Sequence, residues 1–163
     1  MNEPALVILA AGLGSRYGDT KQVAGIGQDG EWLLEYAIRD ALAAGFTRVV
    51  MVIREGLRDT LQARLAPRLK ARGALHFVVQ TLDKVPAGCH VPADRDKPLG
   101  TGHALWCCAP LLQEPFAVIN ADDYYGRDAF HLLAEHFRKA AVPAMVGYRL
   151  VATLSSHGGV NRG

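Results

Sequence analysis

A glycine-rich segment at residues 9–21, LAAGLGSRYGDTK, combines residue types that can hold phosphate groups, and it directly follows an apolar run. Glycines at such a position, here Gly12 and Gly14, let the backbone approach a ligand closely and turn its N–H groups toward it. Arg16 adds a forked cation and Lys21 a point charge. The segment therefore predicts a phosphate-binding loop. The alternative is a tight strand-to-helix turn with two solvated cations.

Two common glycine motifs do not fit this segment. A P-loop requires the pattern GxxxxGK[ST], which the sequence does not contain. The dinucleotide-binding fingerprint GxGxxG lacks its third glycine, because position 17 is tyrosine. That fingerprint also needs an acidic residue about 20 residues further on. The acid nearest the end of the second predicted strand, Glu55, lies more than twice as far away. A nicotinamide-dependent dehydrogenase is therefore not expected.

Two adjacent carboxylates, Asp122 and Asp123, follow the apolar stretch FAVIN. Carboxylate oxygens that face a phosphate loop are hard ligands suited to Mg²⁺. Because adjacent residues that leave a strand point to opposite sides, only one of the two is expected to face the phosphate loop. The pair predicts a magnesium ligand, and the alternative is an acidic turn that caps the next helix.

A third group consists of Gln80 and the segment KPLGTGH at residues 97–103. A side-chain amide at the end of a strand can pair with the edge of a nucleobase, and glycines such as Gly100 and Gly102 let a backbone lie flat against a ring. The group predicts base recognition. His103 stands at the expected start of a helix, where a histidine is more often a satisfied polar residue than a catalyst.

Apolar patterning predicts strands that alternate with helices along the chain. Helices are expected near residues 34–42 with Gly45 as the C-terminal cap, at 57–69 with a kink or end at Pro67, and at 102–112 and 128–140. Strands are expected at residues 5–11, 48–53, 75–80, 116–120 and 144–151. This alternation predicts an α/β fold, a Rossmann-like and mostly parallel sheet with helices on both faces. Ligands of such sheets bind outside the carboxyl ends of the strands, where the three segments above are expected to lie.

The composition of the whole chain argues against several classes of binding partner. A chain of 163 residues with 50% hydrophobic content fits one compact domain. A net charge of +2 without a lysine or arginine run argues against a nucleic-acid partner. Three cysteines without a CxxC pair predict reduced structural thiols. The start of the chain lacks the positive region of a secretory signal, and no apolar segment approaches the roughly 18–20 residues of a membrane span. We therefore expect a cytoplasmic protein without a membrane partner.

Together these motifs resemble the nucleotidyltransferase family of sugar-1-phosphate uridylyl- and thymidylyltransferases. That family opens with a strand and LAAGxGSR followed by a loop lysine, and it continues with a base-pairing glutamine, a glycine-rich segment and an aspartate after a later strand. The resemblance covers nearly the whole chain and implies a fold of the nucleotide-diphospho-sugar transferase type. The separation between Arg16 and Lys21 is shorter than in the best-known thymidylyltransferases. Small cytidylyltransferases of the molybdenum-cofactor type are therefore the nearest alternative.

The resemblance implies transfer of a nucleotidyl group from a nucleoside triphosphate, UTP or dTTP, to a sugar 1-phosphate with release of pyrophosphate. Mg²⁺ bound by Asp122 would bridge the phosphates. Arg16 would neutralise the leaving phosphates, and Lys21 would lie beside the α-phosphate, so that these three residues are the catalytic set. The implied nucleotide-binding residues are Ala10, Ala11, Gly12, Gly14, Ser15, Gln80, Gly100, Thr101 and Gly102.

Members of that family typically run well beyond 163 residues, and their second half carries a sugar-binding region. The resemblance therefore implies that residues 1–163 are a nucleotide-binding domain that lacks the sugar-binding portion. For such a chain we expect nucleotide binding with little turnover, and an exposed sheet edge that favours a homo-oligomer. A regulatory nucleotide-binding module without turnover and a scaffold protein with a vestigial fold are the alternatives from other classes.

Overall fold

Four parallel strands form the sheet in a computed structural model of the protein that describes residues 3–12, 27–69 and 74–154. They are Ala5–Leu9 (β1), Arg48–Ile53 (β2), Ala74–Val79 (β3) and Phe116–Asn120 (β4). Their spatial order is β3-β2-β1-β4, and every neighbouring pair is parallel. The predicted parallel sheet is confirmed, and these four strands lie within two residues of the expected bounds.

The central strand β1 explains why the sheet is parallel and buried. Its residue Val7 lies between Val50 of β2 and Val118 of β4. Ala5 and the three residues after it are fully buried. A strand covered on both faces needs apolar side chains on both sides, which is why β1 is a continuous apolar run rather than an alternating one.

The α-helices cover both faces of this sheet, as the sequence predicts. They are Leu33–Ala44 (α1), Arg58–Leu69 (α2), Thr101–Cys108 (α3) and Arg127–Lys139 (α4). Leu6 and Ile8 of β1 belong to one core cluster with residues of α1, α2 and α4, among them Phe130. Val7 points to the opposite face and packs in a second cluster with Cys108 of α3.

The ends of the helices follow local backbone chemistry. α1 ends at Gly45, which adopts a φ of +104° and donates its N–H to the last turn. This left-handed conformation favours glycine, so the predicted cap is confirmed. α2 extends two residues past Pro67. A short 3-10 helix, Ala109–Leu111, continues α3. Within the described ranges, no helix has the length and apolar character needed to cross a bilayer.

The predicted fifth strand at residues 144–151 is wrong. Residues 144–149 form no regular element, and Leu150–Thr153 is a 3-10 helix. An apolar pattern only shows that a segment suits a pleated surface, whereas a strand also needs a neighbour for its backbone hydrogen bonds. None of the strands in the described part of the chain pairs with this segment. Its side chains therefore remain largely exposed, and Met145 is 95% exposed.

An ion pair ties the start of β2 to the chain that leads into β4. Arg48 Nε donates to Glu114 Oε1 at 2.8 Å, and the Glu114 side chain is only 10% exposed. Burial acts to raise the pKa of Glu114, but the hydrogen bonds from Arg48 and from the Gln113 backbone outweigh it. The pKa therefore lies below the ordinary glutamate value. The pair fixes the end of the sheet opposite the carboxyl ends of the strands.

We expect Glu114→Gln to lower the free energy of unfolding at neutral pH by about 1.5–3 kcal/mol, the usual contribution of a hydrogen bond to a charged group. Because the folded-state pKa is depressed, this stabilisation is present above the unfolded-state pKa and is lost as the pH falls through the folded-state value. Urea denaturation at neutral and acidic pH measures both effects. Glu135→Gln, which removes an exposed pair with Lys139, is the matched control and should change stability little. Equal losses in the two variants would contradict the assignment.

Candidate functional site

The carboxyl ends of the four strands lie along one edge of the sheet, because all strands are parallel. This carboxyl edge comprises the residues that directly follow Leu9, Ile53, Val79 and Asn120. The strand order reverses at β1, since β2 and β3 lie on one side of it and β4 on the other. In open α/β sheets the crevice next to such a reversal is where ligands bind.

Three segments singled out in the sequence lie along the carboxyl edge. Gln80 follows β3, Gly12 comes shortly after β1, and Asp122 shortly after β4. Gln80 N–H donates to Ile53 O at 3.0 Å, so the residue still continues the sheet hydrogen bonding. Neighbouring strands lie about 4.8 Å apart, so the ends of β3 and β4 are roughly 14 Å apart. The edge can therefore take an extended ligand.

The glycine-rich segment is described only where it begins. Ala10 is fully buried, and its N–H donates to Val52 O at 2.8 Å, so its side chain belongs to the core. Ala11 is half-buried and Gly12 is exposed, which marks where the chain leaves the sheet. Outside the described residues lie Gly14, Ser15, Arg16 and Lys21. The structure thus places the start of the segment at the carboxyl edge, and the roles of those four residues stay predictions.

The two adjacent carboxylates have different surroundings. Asp123 is half-buried and accepts a hydrogen bond from Asn120 Nδ2 at 3.0 Å, and the Tyr125 hydroxyl is also hydrogen-bonded to it. Burial, together with the charges of Asp123 and Asp122, raises the pKa of Tyr125, so its hydroxyl keeps its proton. Asp122 is exposed at the carboxyl edge. Asp123 thus forms hydrogen bonds within the loop, and Asp122 is the more exposed of the two carboxylates.

Side chains from distant parts of the chain hold this acidic loop in place. Tyr124 Oη donates to Asp40 Oδ2 at 3.5 Å, and Asp40 lies on α1 with only 3% exposure. Tyr148 Oη donates to the Tyr125 carbonyl at 2.8 Å. These partners are separated by 84 and 23 residues, so no local sequence pattern signals them.

In the part of the chain that the structure describes, the carboxyl edge carries no ready-made metal cage. Among the described residues, no three His, Cys, Asp or Glu side chains converge on one point. Mg²⁺, however, usually binds through one or two carboxylates, several waters and the phosphates of a substrate, rather than through an all-protein site. An exposed Asp122 beside the start of the glycine-rich segment fits that mode of binding.

Gln80 makes contacts that tie β3 to the start of α3. Its Nε2 donates to Gly100 O at 3.0 Å and lies 3.0 Å from His103 Nδ1. On the other side of the imidazole, His103 Nε2 lies 2.7 Å from Lys84 O. His103 is thus a satisfied polar residue, as the sequence suggests, but its contact with Gln80 makes it part of the site. That contact spans 23 residues and was not foreseen.

The start of α3 depends on the backbone of Gly100. This residue has a φ of +98° and a ψ of −170°, a region that essentially only glycine occupies. Its carbonyl accepts hydrogen bonds from Gln80 Nε2 and from Ala104 N–H. Thr101 and Gly102 form the exposed first turn of the helix. The sequence-predicted glycine segment therefore lies beside Gln80.

Replacing Gly100 by alanine is expected to lower the free energy of unfolding by about 1–3 kcal/mol, through backbone strain rather than a clash. An added Cβ would meet no atom within 4 Å at Gly100 or at Gly102. Gly102→Ala is therefore the matched control, and in a helix it should be neutral or stabilising. Thermal denaturation of both variants measures the difference. A Gly102→Ala protein that loses as much stability as Gly100→Ala would refute the backbone argument.

The cysteines near this site are not prepared for nucleophilic chemistry. Burial raises the pKa of the Cys107 thiol, and it raises the pKa of Cys108 to about 11. Because the thiolate is the reactive form, both side chains stay protonated and unreactive at neutral pH. Cys89 is exposed on the loop after β3, and all three cysteines are free thiols, as predicted.

A cation that the sequence pattern did not single out, Arg54, also lies at the carboxyl edge. It directly follows β2, between the ends of β1 and β3, and its side chain is half-buried. The sequence does contain a signal that could identify Arg54, because a charged residue placed directly after a fully apolar parallel strand lies at the ligand-binding edge.

Comparison with solved structures shows similar folds. A UDP-glucose pyrophosphorylase complexed with UDP-glucose has a TM-score of 0.56 and 21% identity, over 85% of this chain and 54% of that chain. The inositol-1-phosphate CTP transferase from T. maritima has a TM-score of 0.54 and 23% identity, over 78% of this chain and 46% of that chain. The UTP-bound UGPase from Acinetobacter baumannii has a TM-score of 0.54 and 20% identity, over 85% and 54%.

These similarities at low identity concern the fold, and they confirm the α/β architecture that the sequence resemblance implies. The chain spans about half the length of these solved structures. No curated protein matches the sequence. The family described as the MobA-like NTP transferase domain matches residues 6–156, which is most of the chain. The resemblance to nucleotidyltransferases is therefore confirmed, and the protein belongs to the family of MobA-like NTP transferase domains.

Proposed function

We propose that the protein binds a nucleoside triphosphate along the carboxyl edge and transfers its nucleotidyl group to a sugar 1-phosphate, with release of pyrophosphate. The observation that carries this proposal is that Gln80 and Asp122 lie on opposite sides of β1. The glycine-rich segment begins where β1 ends. An extended nucleotide can then place its base near β3 and its phosphates between β1 and β4.

At the phosphate end, catalysis would depend on the positioning of the phosphates and on neutralisation of their charge. The attacking group, a phosphate oxygen, is already an anion, so no general base is needed. N–H groups of the segment from Gly12 to Ser15 and the side chains of Arg16 and Lys21 would hold and neutralise the phosphates. Asp122 would hold Mg²⁺, which when bound would supply positive charge that offsets the charge of the phosphates.

At the base end, Gln80 and the segment Gly100–Gly102 would contact the nucleobase. The contact of Gln80 with Gly100 supports this assignment, because it brings the amide and the exposed glycine segment to one place. Among solved structures of similar fold, one holds UDP-glucose, one is UTP-bound, and one is named as a CTP transferase of inositol 1-phosphate. A pyrimidine nucleotide and a phosphate monoester acceptor are therefore the favoured substrates.

We expect UTP or dTTP to bind more tightly than ATP and GTP by about 5–150-fold, because an unpaired amide costs about 1–3 kcal/mol. Calorimetry with the five triphosphates measures this preference. Gln80→Leu should level the affinities, whereas Gln113→Leu, at the exposed residue before Glu114, should not. Equal affinity of the wild type for all five nucleotides, or a clear ATP preference, would refute the assignment.

Pyrophosphate release with UTP, Mg²⁺ and a panel of sugar 1-phosphates tests the reaction itself. Saturable release supports the transferase. Release with CTP alone would support the second candidate, a small cytidylyltransferase, which the family match and the CTP transferase of similar fold favour. Nucleotide binding without release is the result expected if residues 1–163 lack the sugar-binding portion, and it also fits a regulatory module. No binding at all would contradict the proposal and leave the scaffold interpretation.

A further inference from the structure

His103 is the middle member of a chain of hydrogen bonds that ends on a backbone carbonyl at both sides. Gln80 Nε2 donates to Gly100 O at 3.0 Å and lies 3.0 Å from His103 Nδ1, and His103 Nε2 lies 2.7 Å from Lys84 O. The chain therefore links the end of β3, the start of α3 and the turn that follows β3.

The two terminal carbonyls determine where every proton in this chain lies. Gly100 O can only accept, so the amide atom of Gln80 that faces it is the nitrogen. Lys84 O also only accepts, so His103 carries its proton on Nε2, and Nδ1 is a bare acceptor. Nδ1 then takes the second hydrogen of the Gln80 amide. Both N–H groups of Gln80 are used, and the oxygen Oε1 is what the side chain can offer to a ligand.

The backbone holds both ends of the chain in place. Gly100 O also accepts from Ala104 N–H at 3.1 Å within the first turn of α3. Lys84 N–H donates to Thr81 O at 3.2 Å, and Lys84 Nζ donates to Val79 O at 3.1 Å, so the turn that carries the second carbonyl is closed twice. Gly100 O thus sets which end of the Gln80 amide is the nitrogen. His103, held between these fixed carbonyls, takes the second N–H and so fixes the plane of the amide and the direction of its oxygen.

We propose that His103 is a positioning residue for base recognition, which fixes the Gln80 amide so that an acceptor oxygen meets the nucleobase. This inference rests on the proposed function, in which Gln80 contacts the base. An acceptor at that place matches uracil and thymine, which carry N3–H. It opposes cytosine, whose N3 is itself an acceptor. The contact therefore favours UTP or dTTP over CTP.

Two substitutions separate this role from a merely structural one. In His103→Asn the side-chain oxygen takes the place of Nδ1 and restores the acceptor for Gln80. In His103→Gln the longer side chain reaches the place of Nε2 and restores only the link to Lys84. If His103 merely anchors the turn, the glutamine variant should keep its function. If His103 orients Gln80, the asparagine variant should keep it.

The test is calorimetry of UTP, CTP and inorganic tripolyphosphate with the wild type and both variants. We expect the wild type to prefer UTP over CTP by at least about tenfold. His103→Asn should keep most of this preference, and His103→Gln should bring the ratio to within about threefold of one. Tripolyphosphate, which has no base, should bind all three proteins alike. A preference that survives in His103→Gln, or is lost in His103→Asn, would overturn the proposal.

A second measurement tests the proton arrangement without a nucleotide. The ¹⁵N chemical shifts of His103 in the free protein at mildly alkaline pH should show a protonated Nε2 and a bare Nδ1, and an Nδ1–H tautomer would overturn the inference. If the wild type binds neither tripolyphosphate nor any nucleotide, the proposed function falls, and the specificity role of His103 falls with it. If tripolyphosphate and nucleotides bind without discrimination between UTP and CTP, only the inference on His103 falls.

Discussion

Asp122→Asn is expected to remove the Mg²⁺ dependence of nucleoside triphosphate binding and to lower nucleotidyl transfer on the order of 10²–10³-fold, since the charge of a metal held by Asp122 would contribute several kcal/mol. The substitution keeps the size of the side chain and removes its charge. Asp122 is exposed at the carboxyl edge, where a metal bound to phosphates can reach it. Calorimetry with and without Mg²⁺, together with pyrophosphate release, measures both effects.

Asp123→Asn is the matched control, because it removes a neighbouring charge that the loop already uses. Asp123 accepts from Asn120 Nδ2 and is hydrogen-bonded to Tyr125, so its loss should mainly affect the stability of the loop. We expect Mg²⁺ dependence to persist in this variant. The reverse result, with the dependence lost in Asp123→Asn and kept in Asp122→Asn, would exchange the roles of the two carboxylates.

Arg16→Ala is expected to weaken triphosphate binding by about 10–150-fold, because one charge-assisted contact contributes about 1.5–3 kcal/mol. The prediction rests on the sequence, since Arg16 lies outside the described residues. Calorimetry with UTP and with UMP shows which phosphates the arginine contacts, and the loss should be larger for UTP.

Arg138→Ala serves as the control for a general loss of positive charge. Arg138 is exposed in the last turn of α4, whose first residues follow the carboxyl edge. Its removal should leave the UTP affinity nearly unchanged. An unchanged affinity in Arg16→Ala as well would remove Arg16 from the phosphate site.

The sequence was sufficient where local chemistry decides the structure. The stretch FAVIN is β4 to the residue, with Pro115 directly before it and the carboxylates Asp122 and Asp123 shortly after it. Gly45 ends α1 because the left-handed conformation there favours glycine. The segment at residues 144–151 has the same apolar character, but it is not a strand, because pairing depends on neighbours that a local pattern does not contain.

In the candidate site, too, local chemistry predicts some features, and contacts between distant parts of the chain decide the others. Gln80, Gly100 and Asp122 could be singled out because each follows a strand or opens a helix, and the parallel sheet brings such positions to one edge. The contacts that orient these three residues could not be predicted from the sequence. Gln80 meets His103 across 23 residues, and Tyr124 meets Asp40 across 84. These contacts are set by the packing of whole elements rather than by spacing along the chain.

A crystal structure of the protein with UTP and Mn²⁺, analysed by anomalous scattering, tests the central claim most directly. The account predicts the metal on Asp122, the phosphates at the start of the glycine-rich segment after β1, and the uracil ring beside Gln80 and Gly100. Metal density bound by Asp123 alone, or a nucleotide away from the carboxyl edge, would contradict it.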